Sequence, residues 1–221
     1  MRADGIETRA RLKVVAQRLF AAHGVDGVTV ADIVAASGQR NKASLQYHFG
    51  SKEALVGELL VDGAKTVDGL RQAMLDEMIA AGGPRHVRDV LDAFIRPVHQ
   101  LTLLDPEGST YLHFLSNVQL THRPLFREII GTQWNAGYRR CLDHFRMLLS
   151  RVPPPLLDQR MSLVAIYTTS VFSTKDALPD EAQSQSRLWI PGFTLDNILD
   201  TFEAMLCCAP SPATLAHLGT K

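Results

Sequence analysis

The 221-residue sequence predicts an all-α chain. No segment alternates apolar and polar residues with period two for long enough to make a strand, whereas apolar residues recur at three- and four-residue spacing almost throughout. Glycines, prolines and hydroxyl-bearing caps cut that pattern into pieces of helical length. A hydrophobic content of 46% with mixed charges makes the chain globular rather than disordered. Its length suits one large domain or two smaller ones that share a core.

The first helix is expected from about Ile6 to Ala22, with Leu12, Val15, Ala16 and Leu19 on one face and Gly24 as its stop. Thr29 reads as an N-cap, with Asp32 closing a short capping box. Ile33, Val34 and Ser37 give the second helix its inward face, and Gly38 ends it by admitting a left-handed turn. Val34 lies four residues before Gly38, where a helix-turn-helix prefers a small residue, so the turn is expected to open slightly. A third helix is expected from about Asn41 to Phe49, capped by Asn41, with Leu45 and Phe49 inward. Gly50 breaks it and Ser51 caps the next. Two helices meeting at a tight glycine turn form the unit that lays its second helix in the DNA major groove.

From Lys52 a long helix should run to about Ala81, ended by Gly82-Gly83-Pro84, with Val56, Leu59, Val67, Leu70, Met74 and Met78 along one stripe. Gly57, Gly63 and Gly69 inside it each cost roughly 1 kcal/mol relative to alanine, and serve either bending or close packing. Arg85 to Leu104 is a helix kinked at Pro97. Asp105 to Gly108 is a turn, and Ser109 caps a helix to about Leu120 that carries Tyr111, Phe114, Leu115 and Val118. Pro124 opens one long helix to Ser150, and Val152 to Pro155 is a stiff connector. Leu156 to about Ala177 is apolar on more than one side, as a helix packed on its own domain and on a partner would be. Leu178 to Phe193 is a loop whose Leu188-Trp189-Ile190-Pro191 is too apolar to stand free. Thr194 caps a last helix carrying Leu195, Ile198, Leu199, Phe202, Met205 and Leu206, and the tail beyond Pro210 is frayed. Residues 1–50 thus form a helix-turn-helix domain and residues 51–221 a helical second domain, entered through a connecting helix over 51–81.

The third helix concentrates the chemistry. Arg40, Lys42, Ser44, Gln46, Tyr47 and His48 fall within nine residues that include no acid. Arginine and lysine reach guanine edges or phosphates, glutamine pairs with adenine, and the hydroxyls bond phosphate oxygens. Lys52 sits in a first helical turn, where backbone N–H groups also favour phosphate. A plain solvated face would show the same composition. The formal net charge is zero, yet residues 1–50 hold seven basic against four acidic residues, an excess of +3, so the other 171 carry −3. Positive charge gathers where a DNA reader needs it, and so modest an excess calls for two copies of the domain. Arg2, Arg9 and Arg11 are within reach of a DNA backbone but read more simply as solvated.

The run from Thr29 through Gly38 to Tyr47-His48-Phe49-Gly50-Ser51-Lys52-Glu53-Ala54-Leu55 resembles the DNA-binding domain of the tetracycline-repressor (TetR) family of bacterial transcriptional regulators. The specific part is its tail, aromatic-His-Phe-x-Ser-Lys-x-x-Leu, and the likeness covers about residues 8 to 60. One extra residue stands between Gly38 and Leu45, and Gln46 replaces a residue that is often aromatic, so base preference does not carry over. The resemblance implies phosphate roles for Thr29, Ser44, Tyr47, His48 and Lys52 and base-edge roles near Lys42 and Gln46. It further implies a cytoplasmic homodimer on a double-stranded, palindromic DNA operator, with a ligand-sensing second domain. The expected behaviour is a repressor released by a small, largely apolar effector. Dimerisation is assigned to Leu156–Ala177 and Leu195–Leu206 packing on their symmetry mates.

For the effector, the sequence offers aromatics and methionines at helical spacing between residues 85 and 177, which serve equally well as ordinary core. Phe94, Phe114, Asn117, Trp134, Tyr138 and Tyr167 are the assigned ligand-binding set, with Trp134 and Tyr138 one turn apart as a wall and His113 or His144 as further orienting groups. Cys141 and His144 share a helix face, but nothing completes a tetrahedral metal set. No metal and no cofactor is expected. G-x-S-x-G, Walker, H-E-x-x-H and Rossmann patterns are absent, which argues against an enzyme. Three cysteines, two of them adjacent, make no disulfide framework and suit a reducing cytoplasm. From the polar start and the shortness of the apolar stretches, no signal peptide and no membrane partner are expected. Two rivals remain: a constitutive or activating DNA-binding regulator that senses nothing, and an all-helical enzyme or ligand carrier.

Overall fold

The computed structural model of the chain describes residues 3–39, 41, 43–104, 110–131, 135–176, 188–190 and 192–218. Arg40, Lys42, Trp134, Pro191, the expected turn at 105–108, the Ser109 cap and residues 177–187 of the apolar loop lie outside them. Eleven helices and no strand occur among the described residues.

The N-terminal head comprises α1 (Ala3–His23), α2 (Val30–Ala36) and α3 (Ala43–Phe49). Leu12, Ala16, Phe20, Ile33 and Leu45 make its core, with no more than a trace of exposed surface on any of them. The long α4 (Lys52–Ala80) leads into the body, where α5 (Val87–Leu104), α7 (Arg123–Ile130) and α8 (Ala136–Leu148) pack on it, and α6 (Tyr111–Thr121) and α9 (Pro154–Asp176) pack on each other, with α9 also against α5 and α8. Then come α10 (Thr194–Cys207), against α5 and α9, and a short α11 (Pro212–Leu218). No described helix is long and apolar enough to cross a membrane.

Four expectations need correction. The turn between α2 and α3 is closed rather than opened: Gly38 adopts φ +73°, its N–H donates to Ala35 and that of Gln39 to Val34 at 3.0 Å. That pair of bonds is the left-handed helix ending that needs no small residue at Val34, which is buried beneath it. The single helix expected from Pro124 to Ser150 is two. Asp68, on α4 and only 2% exposed, accepts the Gly137 N–H at 2.8 Å and so caps α8 from another element. Asn135 donates back to the Gly131 carbonyl at 2.7 Å. A Cβ at Gly137 would press on both Asp68 and Arg71, so glycine sets how closely α8 approaches α4.

Thr194 does not cap α10. Its hydroxyl accepts the Ile190 N–H at 2.7 Å and faces the Leu188 carbonyl at 2.8 Å, which folds the apolar loop back on itself. Trp189 of that loop is buried 5.7 Å from the Phe172 ring. The tail beyond Pro210 is helical over Pro212–Leu218, because Ser211 accepts the Thr214 N–H and Pro212 opens the first turn.

Candidate nucleic-acid interface and the cavity behind it

The interface is built from local chemistry. Thr29 caps α2: its hydroxyl accepts the Asp32 N–H at 3.2 Å, while Asp32 accepts the Thr29 N–H at 2.8 Å. Asn41 accepts the Ala43 N–H at 2.9 Å and starts α3. Leu45 and Phe49, one turn apart, anchor α3 inward. The remaining positions are thereby turned out: Gln46 is exposed, Tyr47 is 80% exposed, and Ser44 and His48 are half-buried. The Tyr47 and His48 rings meet edge to face at 5.1 Å, which restrains both. An amide and a phenol thus stand on a short rod with no carboxylate beside them, able to meet base edges and phosphate oxygens.

Lys52 sits differently from a free phosphate ligand. Its Nζ donates to the carbonyls of Val25 and Val28, each at 3.0 Å, and ties the first turn of α4 to the α1–α2 loop. Thr29 likewise commits its hydroxyl proton to Asp32. Arg9 pairs with Glu58 and lies over the Phe49 ring at 4.8 Å, and Arg11 pairs with Glu7 on its own helix. Arg9 thus ties α1 to α3 and α4, while the Arg11 pair is exposed on α1.

Behind the head lies a cavity of about 450 Å³ among α4–α9. Phe94 and Tyr138 line it with their rings 5.7 Å apart, and burial pushes the Tyr138 phenol above its usual range. Three other residues assigned to the ligand stand elsewhere. Phe114 is fully buried core, stacked on Phe20 at 6.0 Å. Asn117 donates to the Ala21 carbonyl at 3.0 Å, and Tyr167 is exposed on α9. His113 and His144 are not on the cavity wall.

Sequence reasoning missed Arg71, Arg123 and Arg127, all on the cavity wall. Arg71 is 7% exposed, and burial lowers its pKa from the usual guanidinium range. One Nη donates to the Phe94 carbonyl at 2.9 Å, and the guanidinium lies over the Phe94 ring at 4.6 Å. A signal was present: Arg71 falls four residues after Val67 and four before Leu75, in the inward phase of α4.

Helix α6 joins the two regions. Tyr111, Leu112, Leu115 and Gln119 face the cavity. Phe114 and Asn117 hold the end of α1, and His122, just past α6, meets Asp26 at 3.2 Å. One helix therefore touches both the cavity and the body of the head.

Comparisons with known proteins agree with this architecture. The sequence model of "Bacterial regulatory proteins, tetR family" matches residues 14–59. A tetR-family transcription regulator from Shewanella sp. PV-4 superposes with a TM-score of 0.61 at 13% identity, over 88% of this chain and 95% of that one. The TetR-family regulator PfmR from Thermus thermophilus gives 0.55 at 18%, over 91% and 100%. The fatty acid degradation regulator FadR from Bacillus halodurans gives 0.56 at 16%, over 90% and 95%. At these identities the likeness is one of fold. No curated protein sequence matches the chain.

Proposed function

We propose, from the premise that the chain belongs to the TetR family of DNA-binding transcription regulators, that it is a homodimeric repressor released from a palindromic operator by a small molecule. Each head inserts α3 into a major groove, with Gln46 towards base edges and Tyr47 and Ser44 towards phosphates. Lys42 and Arg40, which flank the start of α3 in the sequence, extend this set. The dimer forms through α9 and α10. Leu163 and Tyr167, 39% and 45% exposed one turn apart, supply the apolar part of that face on α9.

The observation that carries the release is the double role of α6, with cavity on one side and α1 on the other. A ligand that fits the cavity in one position of α6 better than in another shifts the heads by that difference in affinity and no more.

The test is a gel shift on DNA from immediately upstream of the protein's own gene, paired with a reporter on the same promoter. The reading expects a sequence-selective shift with two protomers per operator and higher reporter output when the gene is deleted. A shift indifferent to sequence contradicts DNA reading. Lower output on deletion replaces repression by activation.

A further inference from the structure

We propose that the cavity takes an amphipathic organic anion, a carboxylic acid with an alkyl or aryl body, held by Arg71 in depth and by Arg123 and Arg127 at the rim. The lining holds these three arginines and no aspartate, glutamate, lysine or histidine. Arg71 is nine-tenths buried and its Nε has no hydrogen-bond partner among the described residues. A buried guanidinium left short of an acceptor keeps its full desolvation cost until one arrives.

The nearest acid does not fill that need. Asp68 bears on Arg71 electrostatically, but its oxygens accept from the Gly137 N–H at 2.8 Å and from Gln72 at 2.7 Å. Neither Arg123 nor Arg127 has an ion-pair partner among the described residues, and both are exposed, so they present charge where a ligand enters. Two rim cations and one deep cation leave the site positive even after Asp68 is counted. Around them Val67, Phe94, Leu115, Phe126, Ile130 and Ile166 offer apolar wall. The planar guanidinium fork suits a carboxylate in geometry as well as charge. Asn135 Oδ1, also on the wall and buried with no hydrogen-bond partner among the described residues, is an acceptor and fits a hydroxyl on the body of such an acid.

This deepens the effector reading and depends on it only for regulatory meaning, since binding is measurable without DNA. The experiment is calorimetric titration of the full chain with matched probes: decanoate against 1-decanol, and 4-phenylbutyrate against 4-phenylbutan-1-ol. At least one acid should bind about tenfold more tightly than its alcohol. Arg71→Met should abolish the preference, and the double variant Arg123→Ala, Arg127→Ala, at exposed positions that do not threaten folding, should reduce it several-fold. Equal affinity for acid and alcohol overturns the proposal, as does absence of binding by both acids at about 1 mM. An unchanged preference in the double variant removes the rim cations from it. If the acids bind with the expected preference but leave a protein–operator complex intact, the anion site stands and the release mechanism falls.

Discussion

At Lys52 the ammonium donates to two backbone carbonyls of the α1–α2 loop, although the position falls where a helix start would favour phosphate. The same residue type serves two ends, and its neighbours decide between them: Val25 and Val28 turn their carbonyls towards α4, within reach of the ammonium. Lys52→Met should therefore lower stability by roughly 1.5–3 kcal/mol, the range for hydrogen bonds to a charged group, read as a lower urea midpoint. It should leave the salt slope of DNA binding unchanged, whereas loss of a phosphate contact would lower it by about one ion per head. A variant as stable as the parent, with a markedly flatter salt dependence, would make Lys52 a phosphate ligand instead. Gln46 and Tyr47 contrast with it, because Leu45 and Phe49 take the inward positions and leave those two facing outward.

Among the elements, α4 and α6 cross at Gly63. A Cβ there would overlap the Tyr111 ring, whose hydroxyl donates to the Leu60 carbonyl at 3.1 Å. Of the two uses the sequence left open for the α4 glycines, close packing holds at Gly63, while a Cβ at Gly69 meets nothing within 4 Å. Gly63→Ala should destabilise by about 1–3 kcal/mol through overpacking. Gly69→Ala should instead stabilise by roughly 0.5–1 kcal/mol, the ordinary gain from alanine in a helix. Equal effects of the two in urea unfolding would contradict the crossing geometry. The caps at Thr29, Asn41 and Ser51 and the glycine stops were legible because each closes within a few residues of chain. The break between α7 and α8 was not, because its cause, Asp68, lies 69 residues away. The phase of α4 turns Arg71 inward, but its partners come from elsewhere in the chain: Phe94 of α5 accepts from it, and Gly137 of α8 packs against it. Phe94 and Tyr138 line the cavity and Phe114 packs on Phe20 because aromatic spacing identifies an inward face but not whether a cavity or another side chain meets it.

For the whole molecule, zero net charge with an excess of +3 in the first 50 residues suits the proposed dimer, which would bring two weakly basic heads to one duplex. The body's part is to set their spacing, and the exposed Leu163 and Tyr167 are where a second copy would cover apolar surface. Replacing both by aspartate should give a monomer in analytical ultracentrifugation and cost at least about a hundredfold in operator affinity, since the second head then binds without the first. A dimer that survives the double substitution places the interface elsewhere.

The proposed function stands or falls on whether the outward face of α3 chooses the bases. Selection of operators from a randomised library, run in parallel with the parent chain and with Gln46→Ala, measures it directly. The account predicts that the variant loses preference at one position in each half-site, by about 1–3 kcal/mol, and keeps the rest of the site. Identical preferences for the two proteins would contradict it.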